Sequence, residues 1–487
     1  MEEGQSVQRL LDGGLGHHRA GRLDEAEVMY RQILEIDSEH ADCLNLLGVV
    51  ATQGGRLEEG AALIRRAIAA HAGGVSYYVN LGNIVQAQGE LDEAVELYRH
   101  ALRLRPELLE ALVNLANVLM ARGDLEESEA CYGRALGLNP ESAEAHYNLG
   151  NVLELKGDMD GALAEFETAL RLRPDYAQAA FGRAMGLLTQ GKFEAGWKEY
   201  EWRWLSIDHV TPWRTYREPA WVGERMEVGS VLIWREQGIG DEVMFAGMIA
   251  DAVRTGTRCI LECDARLQPI FERSFPEVTV VTESGEDLDV VAQLPSGSLP
   301  GLFRRTEVEF CAGGEAYLMA DGARRDAMRA RYSDGRPVVG LAWYTANRKS
   351  GRLRSVDLGV LARLFEGTDV RWVSLQYGDF DGLEEQARGL PICVDREVDQ
   401  LVDLDGFAAQ VAAMDLVITI DNSTAHLAGA LGVPVWVMLP AVADWRWMEG
   451  REDSPWYGSM RLFRQAATGD WGGVVERVRE ELIVRKW

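Results

Sequence analysis

Three stretches in the second half of the chain gather side chains able to do chemistry. In REQGIGDEVMFA, Asp241 stands at the start of a helical pattern, directly after a turn made by Gly238 and Gly240. A carboxylate there either caps the helix, because negative charge suits a helix N-terminus, or takes the proton of a hydroxyl brought close over the glycine turn. The two glycines lack the third glycine and the acidic residue of a dinucleotide fingerprint. The second stretch is a basic loop holding Asn347, Arg348, Lys349, Arg352 and Arg354. The guanidinium fork of arginine matches pairs of phosphate oxygens. The third is DLVITIDNSTAHLAGALGVPVWVMLP, residues 415–440. Its elbow, Asp421, Asn422, Ser423 and Thr424, falls where the first helical turn leaves N–H groups for a side-chain cap or an incoming phosphate. His426 is either a core histidine or a phosphate or sugar contact. Loop and elbow together offer positive charge and donors to a diphosphate, with Asp241 opposite them. No paired Asp motif or His cluster has metal-ligand spacing, so guanidinium groups and a helix dipole would neutralise a leaving nucleotide.

Alternating strands and helices must hold these residues. Strands are expected at Val231–Trp234, 259–263, 278–281, 288–294, Val338–Trp343, 372–376, Leu416–Ile420 and Val435–Leu439. Helices are expected at Asp241–Val253, Arg324–Arg331, Leu358–Phe365, 407–414 and 425–432, with Gly432 and Pro434 closing the last of these and an amphipathic helix at 471–484. The pattern makes two successive α/β layers, with their boundary near 333–337. Ligands of such sheets gather at the carboxyl ends of the strands.

The first half reads differently. GRLDEA, GRLEEG, GELDEA, GDLEES, GDMDGA and GKFEAG recur every 34 residues from position 21. Pro106, Pro140 and Pro174 keep the step, as do the small residues Gly48, Gly82, Ala116, Gly150 and Ala184. This is a tetratricopeptide array of about six helix pairs, whose stacked repeats form a concave surface. Asn80, Asn114 and Asn148 share one register, and Asn83, Asn117 and Asn151 the register three residues later. Asparagine is a poor residue for a helix interior, so the series is either a ladder between repeats or a row of amides gripping an extended peptide. Trp197, Trp202 and Trp204 read as a hydrophobic seal onto the next domain, and 206–227 as an irregular connection.

The totals narrow the classes. A net charge of −27 on 487 residues argues against nonspecific nucleic-acid binding. No run reaches the roughly 18 apolar residues of a membrane span. The six cysteines make no framework, which suits reduced thiols and a cytoplasmic location.

REQGIGDEVMFA, VGLAWYTANRKSGRLRSVDL, VSLQYG, the 415–440 block and DWRWMEGREDSPWYGSMRLFRQ resemble the heptosyltransferase-like glycosyltransferases of the GT-B superfamily. With the repeats in front, the chain resembles bacterial tetratricopeptide glycosyltransferases and, in plan, O-GlcNAc transferase. The resemblance implies an N-terminal all-α tetratricopeptide superhelix (1–205), a connection (206–227) and an α/β GT-B unit of two Rossmann-like domains. The acceptor-side domain would span 228–334 and the nucleotide-sugar domain 335–487. It implies Asp241 as base and Arg348, Lys349, Arg352, Arg354, Gln376, Asp421, Asn422, Ser423, Thr424 and His426 on the donor side; on the reading of the residues themselves, the turn Gly238 and Gly240 and the six asparagines would serve the acceptor. The elbow departs from a common family form at Asn422-Ser423-Thr424, and Trp343-Tyr344-Thr345 replaces a smaller sequence. The implied activity is transfer of a sugar from a nucleotide donor to a protein Ser or Thr, with no metal and no tightly bound cofactor. The partners would be a polypeptide acceptor and a nucleotide sugar, with a homo-oligomer compatible. The alternatives are a non-catalytic repeat scaffold retaining the fold, and an enzyme acting on a lipid or saccharide.

Overall fold

In a computed structural model, residues 2–206, 211–283, 288–311, 315–347 and 351–487 are described. The chain divides into two compact units, Met1–Ala179 and Ala180–Trp487.

Helices run in pairs at the repeat spacing, from Glu2–Arg19 and Leu23–Ile36 to Ala177–Thr189 and Phe193–Tyr200. Two periodic devices explain them. Gly21, Gly55, Gly89, Gly123, Gly157 and Gly191 all have φ between 73° and 93°, a left-handed conformation that ends each first helix and that glycine alone adopts cheaply. The small-residue register makes room for a large side chain of the second helix. A Cβ at Gly48, Gly82 or Gly150 would lie 2.5–2.6 Å from Ile64, Tyr98 or Phe166. The array therefore packs by close contact of each first helix with its own second helix. Leu44, Ile64, Tyr98, Leu115, Tyr132 and Val152 lie in its continuous core.

The second unit contains two all-parallel sheets. One comprises β1 (Ser230–Trp234), β2 (Arg258–Glu262), β3 (Thr279–Val281) and β4 (Val290–Pro295), in the order β3-β2-β1-β4. The other comprises β5 (Val338–Leu341), β6 (Arg371–Ser374), β7 (Ile392–Cys393), β8 (Leu416–Ile420), β9 (Val435–Leu439) and β10 (Met460–Arg464), in the order β10-β9-β8-β5-β6-β7. β5, β8 and β9 are buried along their whole length, as strands covered on both faces must be. β8 and β9 fall on the residues their hydrophobic runs indicate. Two strands escape the periodicity reading, β7 because it has two residues and β10 because Arg461 and Arg464 interrupt its apolar pattern. The helix expected over 241–253 is two pieces, Ile239–Ala246 and Ile249–Arg254.

The unit division falls in the last repeat rather than after it, and the aromatic seal supplies the reason. Trp197 donates to the Arg304 carbonyl at 2.8 Å and packs edge-on against Trp445 and Trp456. Trp204 packs against Trp213 and Trp234. The connection also docks, since Trp221 N–H donates to the Gln293 carbonyl at 2.8 Å beside β4.

Candidate functional site

β8 delivers the chain to the elbow. Asn422 is extended and caps the helix Ser423–Ala430, its Oδ1 accepting from Ala425 N at 3.2 Å and from the Thr419 hydroxyl at 3.0 Å. Its Nδ2 has no partner. Asp421, Asn422, Thr424 and His426 are buried and Ser423 is half-buried. His426 Nδ1 lies 2.9 Å from the Tyr457 hydroxyl, and its ring stacks on Trp447. Burial, reinforced by Arg446, pulls the His426 pKa down to about 4, so the imidazole is neutral near pH 7 and offers no positive charge to a phosphate.

The glycine turn after β1 comes to the same place. A Cβ at Gly240 would lie 3.2 Å from His426 and 3.6 Å from the Ser423 backbone. This glycine thus accommodates the close approach of the chain's own elbow. A Cβ at Gly238 would meet nothing nearer than Asp241 Oδ2 at 4.0 Å, so no close approach demands glycine there. Asp241 caps its helix by accepting from Gly238 N at 3.4 Å, and its other oxygen pairs with Arg446.

That pair ends a chain of alternating charges. Arg446 lies 2.7 Å from Asp444, Asp444 3.1 Å from Arg354, and Arg354 2.8 Å from Asp421. Burial raises Asp421 to about 6, against the pull of Arg354 and with help from the like charge of Asp444. Burial also works to raise Asp444, but Arg446 and Arg354 outweigh it and hold it near 2. Arg446 is kept firmly charged because Asp241 and Asp444 outweigh its desolvation. Asp444 and Arg446, in the DWRW block, are members that sequence reasoning missed. Nothing local marks them, since Arg446 meets Asp241 from 205 residues away.

The basic loop divides. Arg354 faces the elbow, whereas Arg352 is exposed and lines an open pocket of about 1060 Å³ beyond the ends of β5 and β6. Trp343, Tyr344, Asn347, Tyr377 and Asp379 also line it. Gln376 is a buried brace within it. Its Oε1 accepts from the N–H groups of Trp343 and Tyr344 at 2.9 and 2.8 Å, and its Nε2 donates to the Tyr344 and Tyr377 carbonyls. Gln376 therefore shapes the pocket through the backbone, with both ends of its amide occupied. Arg348 and Lys349 lie outside the described residues.

In the array the asparagines bond one another and neighbouring tyrosines. Asn80 donates to Asn45 at 2.9 Å and Asn114 to Asn83 at 2.8 Å. Tyr98 donates to Asn83 at 2.7 Å and Tyr132 to Asn117, while Asn148 bonds the Tyr132 phenol. The ladder between repeats is thus present. Asn45, one position off the register, anchors its N-terminal end. Asn83 is exposed and Asn151 half-buried.

Among the described residues, no group of three or more His, Cys, Asp or Glu is placed to hold a metal ion, and no helix is long and apolar enough to cross a membrane. Models of the tetratricopeptide repeat match residues 17–81, 113–177 and 160–201, and one of the TPR repeat matches 82–121. The chain is 32% identical over 322 residues to Protein FlbA of Caulobacter vibrioides, covering 61% of this chain and 53% of that protein. The chain thus spans about half the length of that curated relative, and the matched share is longer than the array alone. Among solved structures, the chain is similar to MamA (21% identity, 34% of this chain and 96% of that one, TM-score 0.32). It is also similar to YrrB, described as a TPR protein with an unusual peptide-binding site (22%, 37% and 92%, 0.33). A third is PilF of Pseudomonas aeruginosa (19%, 42% and 91%, 0.38). The N-terminal half is a tetratricopeptide repeat array, followed by an α/β region with parallel sheets.

Proposed function

We propose that this chain is an interaction protein whose repeat array binds an extended polypeptide and whose α/β unit binds a nucleoside diphosphate sugar. The observation that carries the second half is the pocket of about 1060 Å³ beyond β5 and β6. It is large enough for a nucleotide sugar and offers the rings of Tyr344 and Tyr377 to a base, Asp379 to ribose hydroxyls and Arg352 to phosphate. Numbered along the chain, the second sheet runs 6-5-4-1-2-3, which supports a Rossmann-like reading of 335–487. The first sheet opens with the same order and supports that reading for 228–334, the pair together making a GT-B unit. The tetratricopeptide repeats and the exposed Asn83 support a polypeptide partner. An amide has four hydrogen-bonding positions, so a ladder and a peptide contact are compatible.

A second reading adds chemistry: transfer of the sugar to a Ser or Thr hydroxyl by a single inverting displacement, with a lipid or saccharide acceptor as a variant. The place of Asp241 favours it, at the end of β1 and against the elbow of the other sheet. The hydroxyl oxygen would attack the anomeric carbon, Asp241 would take its proton, and the bond to the diphosphate would break with its electron pair on the phosphate oxygen. The interaction reading is the better supported, because one Asp241 oxygen is held by Arg446 and the other caps its own helix, so neither is open to an acceptor hydroxyl.

A thermal-shift panel of UDP-, GDP-, ADP- and CMP-linked sugars tests the proposal. One base should give a saturable micromolar response, and silence across the panel would overturn the nucleotide half. Mass spectrometry of protein acceptors incubated with the bound donor separates the two readings. Transfer that Asp241→Asn abolishes establishes the enzyme, and binding without transfer leaves the interaction role.

A further inference from the structure

We propose that Arg354 and Arg446 form an anion-receiving pair held shut by the chain's own carboxylates, and that a diphosphate binds by displacing Asp241 from Arg446. This inference rests on the nucleotide reading above and carries the diphosphate from Arg352, which lines the pocket, to Arg354 two residues on, which belongs to the junction.

The five groups, Asp421, Arg354, Asp444, Arg446 and Asp241, join the start of one sheet's helix to the elbow of the other. Each guanidinium contacts two carboxylates, the arrangement that two phosphate groups would otherwise satisfy, because carboxylate and phosphate present the same spacing to the arginine fork. The pair is within reach of a ligand. The Arg354 side chain is 21% exposed, and those of Arg446 and Asp241 are 13% and 18%.

Arg446 is the fixed member. Its guanidinium lies 4.5 Å over the Trp445 ring, and Trp445 is packed against Trp197 and Tyr200. Asp241 is the member placed to move. It lies in the first turn of a short helix that follows Gln237, a non-glycine residue at φ 65°, and strained backbone of this kind gathers at sites that switch. Two further observations favour an anion. The buried Asn422 Nδ2 is a hydrogen-bond donor with no acceptor. The Asp421 carboxyl, pushed up to about 6, is the member that gives up its charge most readily as a second anion arrives.

The consequence is an order of events. While the site is empty, Asp241 is tied to the Arg446 guanidinium and is not open to an incoming hydroxyl. When diphosphate occupies Arg446, Asp241 is released. Arg446 is thus a positioning residue that makes the readiness of Asp241 depend on bound nucleotide.

Isothermal titration of the full chain provides the test, using UDP, GDP, ADP and CDP with uridine, guanosine, adenosine and cytidine as controls. Asp241→Asn, near-isosteric and partly exposed, should tighten binding of the recognised diphosphate about five- to tenfold by removing a competitor, up to about 1.4 kcal/mol. Arg446→Gln should weaken it at least about tenfold, with Arg446→Lys intermediate and the nucleoside affinity unchanged throughout. An unchanged or weaker diphosphate affinity in Asp241→Asn, with wild-type nucleoside binding retained, would overturn the latch and leave the pocket reading intact. Failure of every nucleotide to bind wild type would overturn both.

Discussion

The pocket beyond β5 and β6 and the junction between the glycine turn and the elbow both lie at strand ends and both hold arginine, yet they differ in what their polar groups already do. At the junction every charge has a partner of opposite sign from the chain itself. At the pocket the backbone is braced from within by Gln376, while Arg352, Tyr344 and Tyr377 border open space. An arginine near a helix start is therefore not by itself an open anion site. What matters is whether a carboxylate of the same chain has already taken it.

The comparison can be broken most forcefully at the junction. Arg354→Ala leaves Asp421 and Asp444 facing each other without their shared cation, and removing one partner of a buried pair typically costs about 3–5 kcal/mol. Urea unfolding of the second unit should show a loss near the lower end of that range, since Arg354 is partly exposed. A loss below about 1 kcal/mol would mean that water already satisfies the carboxylates.

Glu242 probes the same helix by pH. Burial raises its pKa from 4.5 to about 7, against the Asp264 N–H that donates to it. A carboxyl with a raised folded-state pKa lends stability that is complete below 4.5 and lost as pH rises through 7. At about 1.4 kcal/mol per unit this amounts to roughly 3 kcal/mol. Glu242→Gln should therefore unfold later than wild type at pH 8, with the gap closing by pH 4.5. An equal gap at both values would show that burial of the charge is not the cause.

Two smaller effects sharpen the contrast. Tyr344 is half exposed at the pocket, so Tyr344→Ala should leave the melting temperature unchanged and weaken nucleotide binding about tenfold, as loss of a stacking face does. In the array, Asn114→Ala deletes the bond to Asn83 and should cost about 1 kcal/mol in urea unfolding. If the series also grips a polypeptide, a fluorescent acceptor peptide should bind more weakly to this variant than the lost stability explains.

The array was legible because a 34-residue period repeats each packing decision several times, so Gly82 facing Tyr98 and Gly150 facing Phe166 are one rule seen twice. β8 and β9 were legible because they are buried on both faces. The charge chain was not. Asp241, Arg354, Asp421, Asp444 and Arg446 come from four separate segments, and pairing across the fold leaves no local pattern. Gln376 was recognisable as a site residue only by resemblance, and its work as a brace depends on two backbone N–H groups that sequence cannot orient. Asn45 was missed because a one-position offset hid it from the register that placed Asn80.

Hydrogen–deuterium exchange of the full chain with and without the nucleoside diphosphate sugar that responds in the panel tests the central claim most directly. Slowed exchange over 342–347, 351–359 and 376–383 is the result predicted for a ligand in the pocket beyond β5 and β6. Unchanged exchange across those segments at saturating ligand would contradict it.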